Sequence, residues 1–469
     1  MTTAMLELGS GVTDITPHPG TVLSGFIFRK NEPSVRIDDP LYVRALALRQ
    51  GEECYFLVSY DLLGIAQPLD RQLRDALAAG LGPDFNEERC VLTATHAHSA
   101  PPTSPLQGEA DPDPGYWQLL CDRTVEAVQL ARQQLTPVSL RYATTRLSGL
   151  TYNRRAVLAD GRVTMTPEPD VPVLERGPVD DMLTTLVWHD GRGRAVAAVV
   201  HFACHGVAMC EPAVTGDVPG QLAGRIGQLL GAPCLYLQGA TGDVNPVTVS
   251  AGRPGLMNWI EQAMSHLHNL PQRLLPLPDV PLRATTTELL LEYQRLPEAA
   301  QIEREIANLD RIGQGEVEAA EVQPTIQLLA GIMNFKPGER PDPAKAAFAA
   351  RALADAGRRS LAASKTGQPL PACPLRISLW RMGQVALAFV AAELFSITGY
   401  RIRSLARGRA LLPVTYASPI VGYVPDRAAM ARGGYEVDDA WRFYRQPAPF
   451  AVDSEGWIVN TIARLDAEL

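Results

Sequence analysis

Lysine is nearly missing from this chain: Lys30, Lys336, Lys345 and Lys365 are the whole complement, and arginine supplies the rest of 43 basic residues. We read that skew as compositional, not as a recognition surface. Positive charge is not in excess either, since 51 acidic residues leave a net charge of -8 and a pI near 5.6. That balance excludes a broad electrostatic footprint for nucleic acid or anionic membrane, so no nucleic-acid partner is expected. No apolar run approaches the roughly 20 residues that span a bilayer, which excludes a transmembrane segment. Residues 1–10 lack the cationic stretch and apolar core of a secretory leader. The seven cysteines (Cys54, Cys90, Cys121, Cys204, Cys210, Cys234 and Cys373) show no CxxC spacing. An odd number without a leader implies reduced thiols, most of them small buried apolar side chains, and a cytoplasmic location.

What is present is ordinary for a globular protein: 46% apolar and 20% charged residues over a length that suits one large domain or two to three smaller ones. Strand-like and helix-like stretches alternate. Leu41 to Arg49 and Cys54 to Tyr60 read as strands about a Gly51-Glu52-Glu53 turn, followed by a helix over Leu69 to Leu81 and a strand over Cys90 to Ala94. A longer helix is expected over Gly115 to Gln133, with strands over Ser139 to Arg146 and Asp181 to His189. Gln221 to Leu230 reads as a helix and Cys234 to Leu237 as a buried strand entering a Gly-rich turn. Residues 297–366 are rich in Ala, Glu and Arg and lack strand patterning, apart from a Pro-containing stretch, Lys336 to Pro343. They read as a helical insertion, either a lid or a solvated helical pair. Strands return at Pro374 to Met382 and Val385 to Val390, before a helix from Glu393 to about Leu405. The expected fold is α/β, with layered mixed β-sheets covered by helices. Because core strands flank the insertion, a single domain over 1–469 is expected. The oligomeric state is not set by any of these features.

Two histidine clusters stand out among only eight histidines. Thr95-His96-Ala97-His98-Ser99 follows the apolar run Val91 to Ala94, and His201-Phe202-Ala203-Cys204-His205 follows Ala195 to Val200. Residues i and i+2 of an extended chain point the same way, so His96 and His98 can face one pocket. Neutral imidazole is the commonest protein ligand for zinc. Strand-end histidines are also common without metal, but two clusters, each leading into Gly- or Pro-containing loop, favour a metal site.

The order of short motifs resembles the N-terminal catalytic domain of the neutral (non-lysosomal) ceramidases, zinc-dependent amide hydrolases. The matching residues are Gly25-Phe26, Asp39 to Ala45, Thr95 to Ser99, Asn153-Arg154, Phe202 to His205, Gly216-Asp217, Gly242-Asp243-Val244 and Glu393-Leu394-Phe395. The resemblance implies one zinc per chain on His96, His205, Glu393 and Tyr423. Tyr423 is chosen because the family places a second pocket tyrosine twelve residues on, at Tyr435. Taken alone, Glu393 also fits a helix N-terminal carboxylate. His98 would stand beside the metal as a partner or proton shuttle, and Arg154 would hold the substrate carbonyl or its oxyanion. Alternatively, Arg154 is a surface residue beside Arg155. Asp243 would orient a histidine or accept a backbone hydrogen bond.

One position departs from the family. Where the family has a motif serine, Gly242-Asp243-Val244-Asn245-Pro246 carries Asn245, which can donate to an oxyanion or orient water but cannot be a nucleophile. The end at residue 469 is expected to leave no room for the family's C-terminal β-sandwich. The expected activity is hydrolysis of an amide (N-acyl) bond in a small-molecule substrate by metal-activated water. Arg154, Tyr435 and Asn245 would stabilise the oxyanion while His98 moves protons. An ester or lactone would suit the same chemistry, and a binding protein that lost catalysis at Asn245 is a further possibility. A cysteine hydrolase using Cys204 is the remaining rival, opposed because adjacent strand residues face opposite ways.

Overall fold

Alternate residues along the strand Tyr42–Gln50 enter two different cores. Val43, Ala45 and Ala47 lie in one, Leu46 and Leu48 in another. The strand is therefore sandwiched, and its period of two is filled with apolar residues on both faces. This is a computed structural model, and it describes residues 5–167, 170–278, 281–323, 325–326, 329, 342–406 and 409–469.

The strands of the larger sheet are β1 (Glu7–Asp14), β2 (Tyr42–Gln50), β3 (Glu53–Tyr60), β4 (Cys90–Ala94), β5 (Thr136–Arg146), β6 (Met182–Asp190), β7 (Ala195–Phe202) and β8 (Cys234–Gln238). They run in the order β8-β7-β6-β5-β1-β2-β3-β4, and the two-residue strand Leu275–Pro276 also pairs with β5. A four-stranded sheet contains β9 (Leu282–Leu291), β10 (Cys373–Met382), β11 (Val385–Val390) and β12 (Ala410–Val414), in that order. Pairs β3/β4, β7/β8 and β11/β12 are parallel. The neighbouring pairs β2/β3, β6/β7 and β10/β11 are antiparallel, so both sheets are mixed. The longer helices are α1 (Gln67–Leu81), α2 (Pro114–Gln133), α3 (Asp217–Leu230), α4 (Gly252–Leu267), α5 (Ala299–Gly313), α6 (Pro343–Lys365), α7 (Ser396–Leu405) and α8 (Ser454–Glu468).

These elements stack in four layers, helix on sheet on sheet on helix. Leu73 and Leu77 of α1 and Leu120 and Val128 of α2 cover Val43, Phe56 and Val58. On the same face, Ile226 of α3 and Trp259 and Ile260 of α4 cover Val187, Val200 and Tyr236. The opposite face, with Leu46, Leu57, Trp188 and Val199, meets Trp380, Leu387, Phe389 and Leu412 of the smaller sheet. Ile402 of α7 and Ile458 and Ile462 of α8 close the far side. Burial on both faces explains why β4, β7, β8 and β11 read as nearly continuous apolar runs.

One expected boundary is corrected, and one strand is added. Glu393 is not the first residue of a helix: it lies in the two-residue strand Glu393–Leu394, paired in parallel with Tyr423–Val424, and α7 begins at Ser396. No element was expected over residues 7–14, where β1 forms and carries Gly9 and Gly11. Those glycines are required by packing, since a Cβ on Gly9 would sit 2.1 Å from the Ala131 carbonyl of α2.

Helices α5 and α6 pack antiparallel, as the contacts Arg351 to Gly313, Arg358 to Asp310 and Lys365 to Glu303 require. Their shared core includes Phe443, and Ile27, Phe28 and Tyr435 pack against it. The greater part of the Lys336 to Pro343 stretch lies outside the described residues. Among the described residues no helix is long and apolar enough to cross a membrane.

Candidate metal site and cavity

Five strands deliver the site from their C-terminal ends, where ligand sites in α/β sheets commonly form. Beyond β4 come His96 and His98, beyond β7 His205, beyond β8 Thr241 and Asp243, beyond β11 Glu393, and beyond β12 Tyr416 and Tyr423. The two histidine loops are joined by a parallel bridge, Ala97 to Gly206. Buried Gln238 clamps them further: its Oε1 accepts from the Cys204 N–H at 3.1 Å, and its Nε2 donates to the carbonyls of Thr95 at 2.9 Å and Cys204 at 2.8 Å. His96 and Tyr416 both hold left-handed backbone, with φ of 64° and 59°. Such strain is costly for residues with a Cβ and clusters at functional sites.

Each imidazole is fixed by a backbone carbonyl. Nδ1 of His96 lies 2.8 Å from the Leu63 oxygen, Nδ1 of His98 2.9 Å from the Gly25 oxygen, and Nδ1 of His205 2.7 Å from the Thr241 oxygen. A carbonyl only accepts, so the proton sits on Nδ1 and the Nε2 lone pair is left over. These nitrogens converge: His96 and His98 bring their Nε2 atoms to 3.0 Å, and the three histidines offer ligand atoms within 4.8 Å of one another. Two facing lone pairs repel unless a cation lies between them. Ligand atoms on a tetrahedral zinc stand roughly 3.3 Å apart, so this donor set fits a metal ion. Burial brings the pKa of His96 down to about 3, and burial also pushes His98 and His205 well below the ordinary imidazole range. Neutral imidazole is the form a metal needs.

Glu393 is fully buried beside them, its Oε2 3.6 Å from His96 Nε2 and 3.9 Å from His205 Nε2. Tyr416 donates to Oε2 at 2.9 Å and Tyr444 donates to Oε1. Burial lifts the carboxyl to about 7, against the opposing pull of the Tyr444 and Tyr416 hydroxyls and the Arg154 charge. Arg154 is buried rather than on the surface. Its Nε donates to Glu436 at 2.8 Å, its Nη2 donates to the Tyr423 hydroxyl at 3.0 Å, and its Nη1 stands 3.4 Å from His205 Nε2. Arg155 pairs with the other oxygen of Glu436.

Among the described residues Asp243 hydrogen-bonds to no histidine. Its carboxylate accepts the Ser396 N–H at 2.7 Å and the Asn153 amide at 2.6 Å, and its carbonyl accepts the Arg154 N–H at 2.8 Å. It ties α7 to the segment carrying Arg154. Asn245 lies opposite Tyr152 in a short antiparallel pair, with its buried Oδ1 unpartnered among the described residues. His201 turns away from the cluster, its Nε2 2.8 Å from the Pro413 carbonyl. Cys204 belongs to the apolar core under α3 and α4, and burial raises its thiol pKa well above the usual value.

A cavity of about 110 Å³ opens on this cluster. His96, His98, Glu393, Tyr423, Tyr435 and Tyr444 supply its polar side, Phe26, Phe28, Leu63 and Phe443 its apolar side, and Gln107 and Glu109 add further polar groups. Tyr416, Tyr444, Gln238, Glu109 and Glu436 were not anticipated. Glu436 adjoins the expected Tyr435, whereas the others come from segments whose local pattern carries no chemical signal, although Tyr416 stands beyond a strand parallel to the one that carries Glu393.

Residues 6–225 match the family model described as neutral/alkaline non-lysosomal ceramidase, N-terminal. Neutral ceramidase from Mycobacterium tuberculosis is 26% identical over 270 residues, which is 52% of this chain and 40% of the relative. The match thus spans well under two thirds of that relative's length. The crystal structure of neutral ceramidase from Pseudomonas aeruginosa superposes with a TM-score of 0.66 at 17% identity, covering 99% of this chain and 75% of the other. A ceramidase complexed with C2 gives 0.68 at 17% identity, covering 99% and 76%. At that identity the likeness speaks for the shared layered α/β fold.

Proposed function

From a chain whose residues 6–225 carry the N-terminal region of the neutral/alkaline non-lysosomal ceramidases, we propose a zinc-dependent hydrolase that cleaves the N-acyl (amide) bond of a small molecule. The observation that carries this reading is the convergence of three neutral imidazoles, buried His96 and His205 and half-buried His98, next to the Glu393 carboxylate. These four side chains would hold one zinc ion per chain. Tyr423 would stand at the edge of the set as a further ligand, its hydroxyl already accepting from Arg154. When bound, zinc supplies Lewis acidity for a carbonyl and brings the pKa of a water to about 7.

The remaining steps fall to the chain's own groups. Arg154 is held by Glu436 with its Nη atoms facing Tyr423 and His205, which suits a permanent charge that stabilises a developing oxyanion. Burial keeps the hydroxyl of Tyr435 protonated, so it remains a donor toward the same oxyanion. His98 was expected to move protons. With Nδ1 spent on Gly25 and Nε2 aimed at His96, we assign it to metal holding instead. Asn245, whose Oδ1 has no partner among the described residues, would orient water or a substrate N–H. The small cavity suits a compact substrate, and the setting we propose is the cytoplasm. The reading is tested by incubating the zinc-loaded protein with a panel of N-acyl amides and esters and following amine or alcohol release. Amide turnover that His205→Ala abolishes supports it; no turnover of any amide counts against it.

A further inference from the structure

Gln107 and Glu109 line the cavity, and neither takes part in the steps assigned above. Gln107 is only 7% exposed. Its Oε1 accepts from Nη1 of Arg359 on α6 at 2.8 Å, and its backbone N–H donates to the Phe443 carbonyl at 2.8 Å. A guanidinium only donates, so the amide oxygen is pinned toward Arg359 and the NH2 end is turned away from it. Among the described residues, Nε2 of Gln107 donates to no acceptor. Glu109, two residues on, offers the complementary chemistry. Its Oε1 accepts the Gly25 N–H at 2.7 Å and its Oε2 accepts the Ser24 hydroxyl, which leaves lone pairs on both oxygens. The turn between the two residues is pressed against the helical pair: Gly108 has a φ of +83°, and a Cβ there would lie 2.7 Å from the Ala352 Cβ of α6. Asn31 braces the same turn, donating to the Gly108 carbonyl at 3.4 Å and accepting the Ala110 N–H at 2.9 Å.

We propose that Gln107 and Glu109 form a polar subsite that reads a second polar group on the substrate, apart from the carbonyl to be attacked: Gln107 Nε2 donates, Glu109 accepts, and the group they hold is neutral and does both, a hydroxyl or a carboxamide. The proposal rests on the reading of this cavity as the place where a small N-acyl compound binds. A hydrocarbon there leaves the buried Gln107 amide without an acceptor. A carboxylate has no hydrogen to offer Glu109. The apolar remainder of the ligand meets Phe26, Phe28 and Phe443. Arg359 is a positioning residue: it is an exposed residue of α6 and does not line the cavity, and it acts by fixing which end of the Gln107 amide is free. The helical pair thus takes part in selection without having to move.

The test measures binding by calorimetry, so it does not depend on turnover. The probes are short ketones in which a methylene replaces the amide nitrogen of an N-acyl compound, ending in methyl, hydroxyl, carboxamide or carboxylate. Wild type should bind the better of the hydroxyl and carboxamide probes at least about tenfold more tightly than the methyl probe. The carboxylate probe should bind no better than the methyl one, and the tighter of the two neutral polar probes identifies the group. In Gln107→Leu and in Arg359→Met the preference should fall to within about threefold; the second variant keeps Gln107 and changes only an exposed helix position. Equal affinities across the series in wild type, tightest binding of the carboxylate, or no binding of any probe overturns the proposal. A preference that survives Gln107→Leu also overturns it, and one that survives Arg359→Met overturns the role of Arg359. If the neutral polar probes bind as expected while no amide is hydrolysed, the hydrolase reading fails and the subsite stands.

Discussion

At the scale of single residues, proton placement matters more than proximity. Three carbonyls, those of Leu63, Gly25 and Thr241, each claim an imidazole Nδ1, and this is what turns three histidines into three aligned lone pairs. Part of this was legible in advance, because the i and i+2 spacing of His96 and His98 sends both rings the same way. The carbonyls were not legible, since backbone oxygens carry no sequence signal. Nor were Tyr416 and Tyr444, which meet Glu393 only after separate segments fold together. Two predictions belong here. Gly25→Ala forces a Cβ against the His98 ring in a left-handed backbone. It should lower zinc affinity at least about tenfold, the usual scale for disturbing a ligand's support, as read by chelator competition. Cys204 is a buried thiol whose pKa is raised well above its ordinary value, so at pH 8 it stays protonated and unreactive. Iodoacetamide should leave Cys204 unmodified in the native protein and label it after unfolding, by peptide mass mapping, and Cys204→Ala should keep its turnover.

At the scale of elements, the site is a meeting of strand ends, and its rigidity comes from what joins them. Gln238, the last residue of β8, spans the loops of His96 and His205 with three hydrogen bonds. Gln238→Ala would strand a buried N–H and two buried carbonyls, so it should destabilise the protein by about 3 kcal/mol or more. Denaturant titration measures this; a loss below about 1 kcal/mol would show that the clamp is dispensable. Strands such as β4 and β11 were readable to the residue because burial on both faces leaves an unbroken apolar run. Strand β1 was not, since the close approach of α2 demands glycines where a strand normally carries bulk. Glu393 looked like a helix start because α7 follows it so closely; its pairing with Tyr423 depends on a segment about thirty residues later.

At the scale of the whole molecule, two sheets pressed face to face bring β4, β7 and β8 of one layer and β11 and β12 of the other to a common end. Trp380 is 1% exposed and sits between the sheets against Tyr55 and Phe389. Trp380→Ala should cost about 3–5 kcal/mol and, by loosening the layers, weaken zinc binding although it lies outside the cavity. Calorimetry with and without zinc would show both effects. The layered α/β arrangement was legible from alternating strands and helices. The helical pair was legible as helices, but its packing on Phe443 and Tyr435 was not.

The central claim is that the converging imidazoles hold a metal. The measurement that reaches it most directly is the metal content of the purified protein by mass spectrometry, in wild type and in His205→Ala. The account predicts about one zinc per chain in wild type, lost in the variant. No zinc in wild type after incubation with the ion, or equal zinc in both proteins, would contradict it.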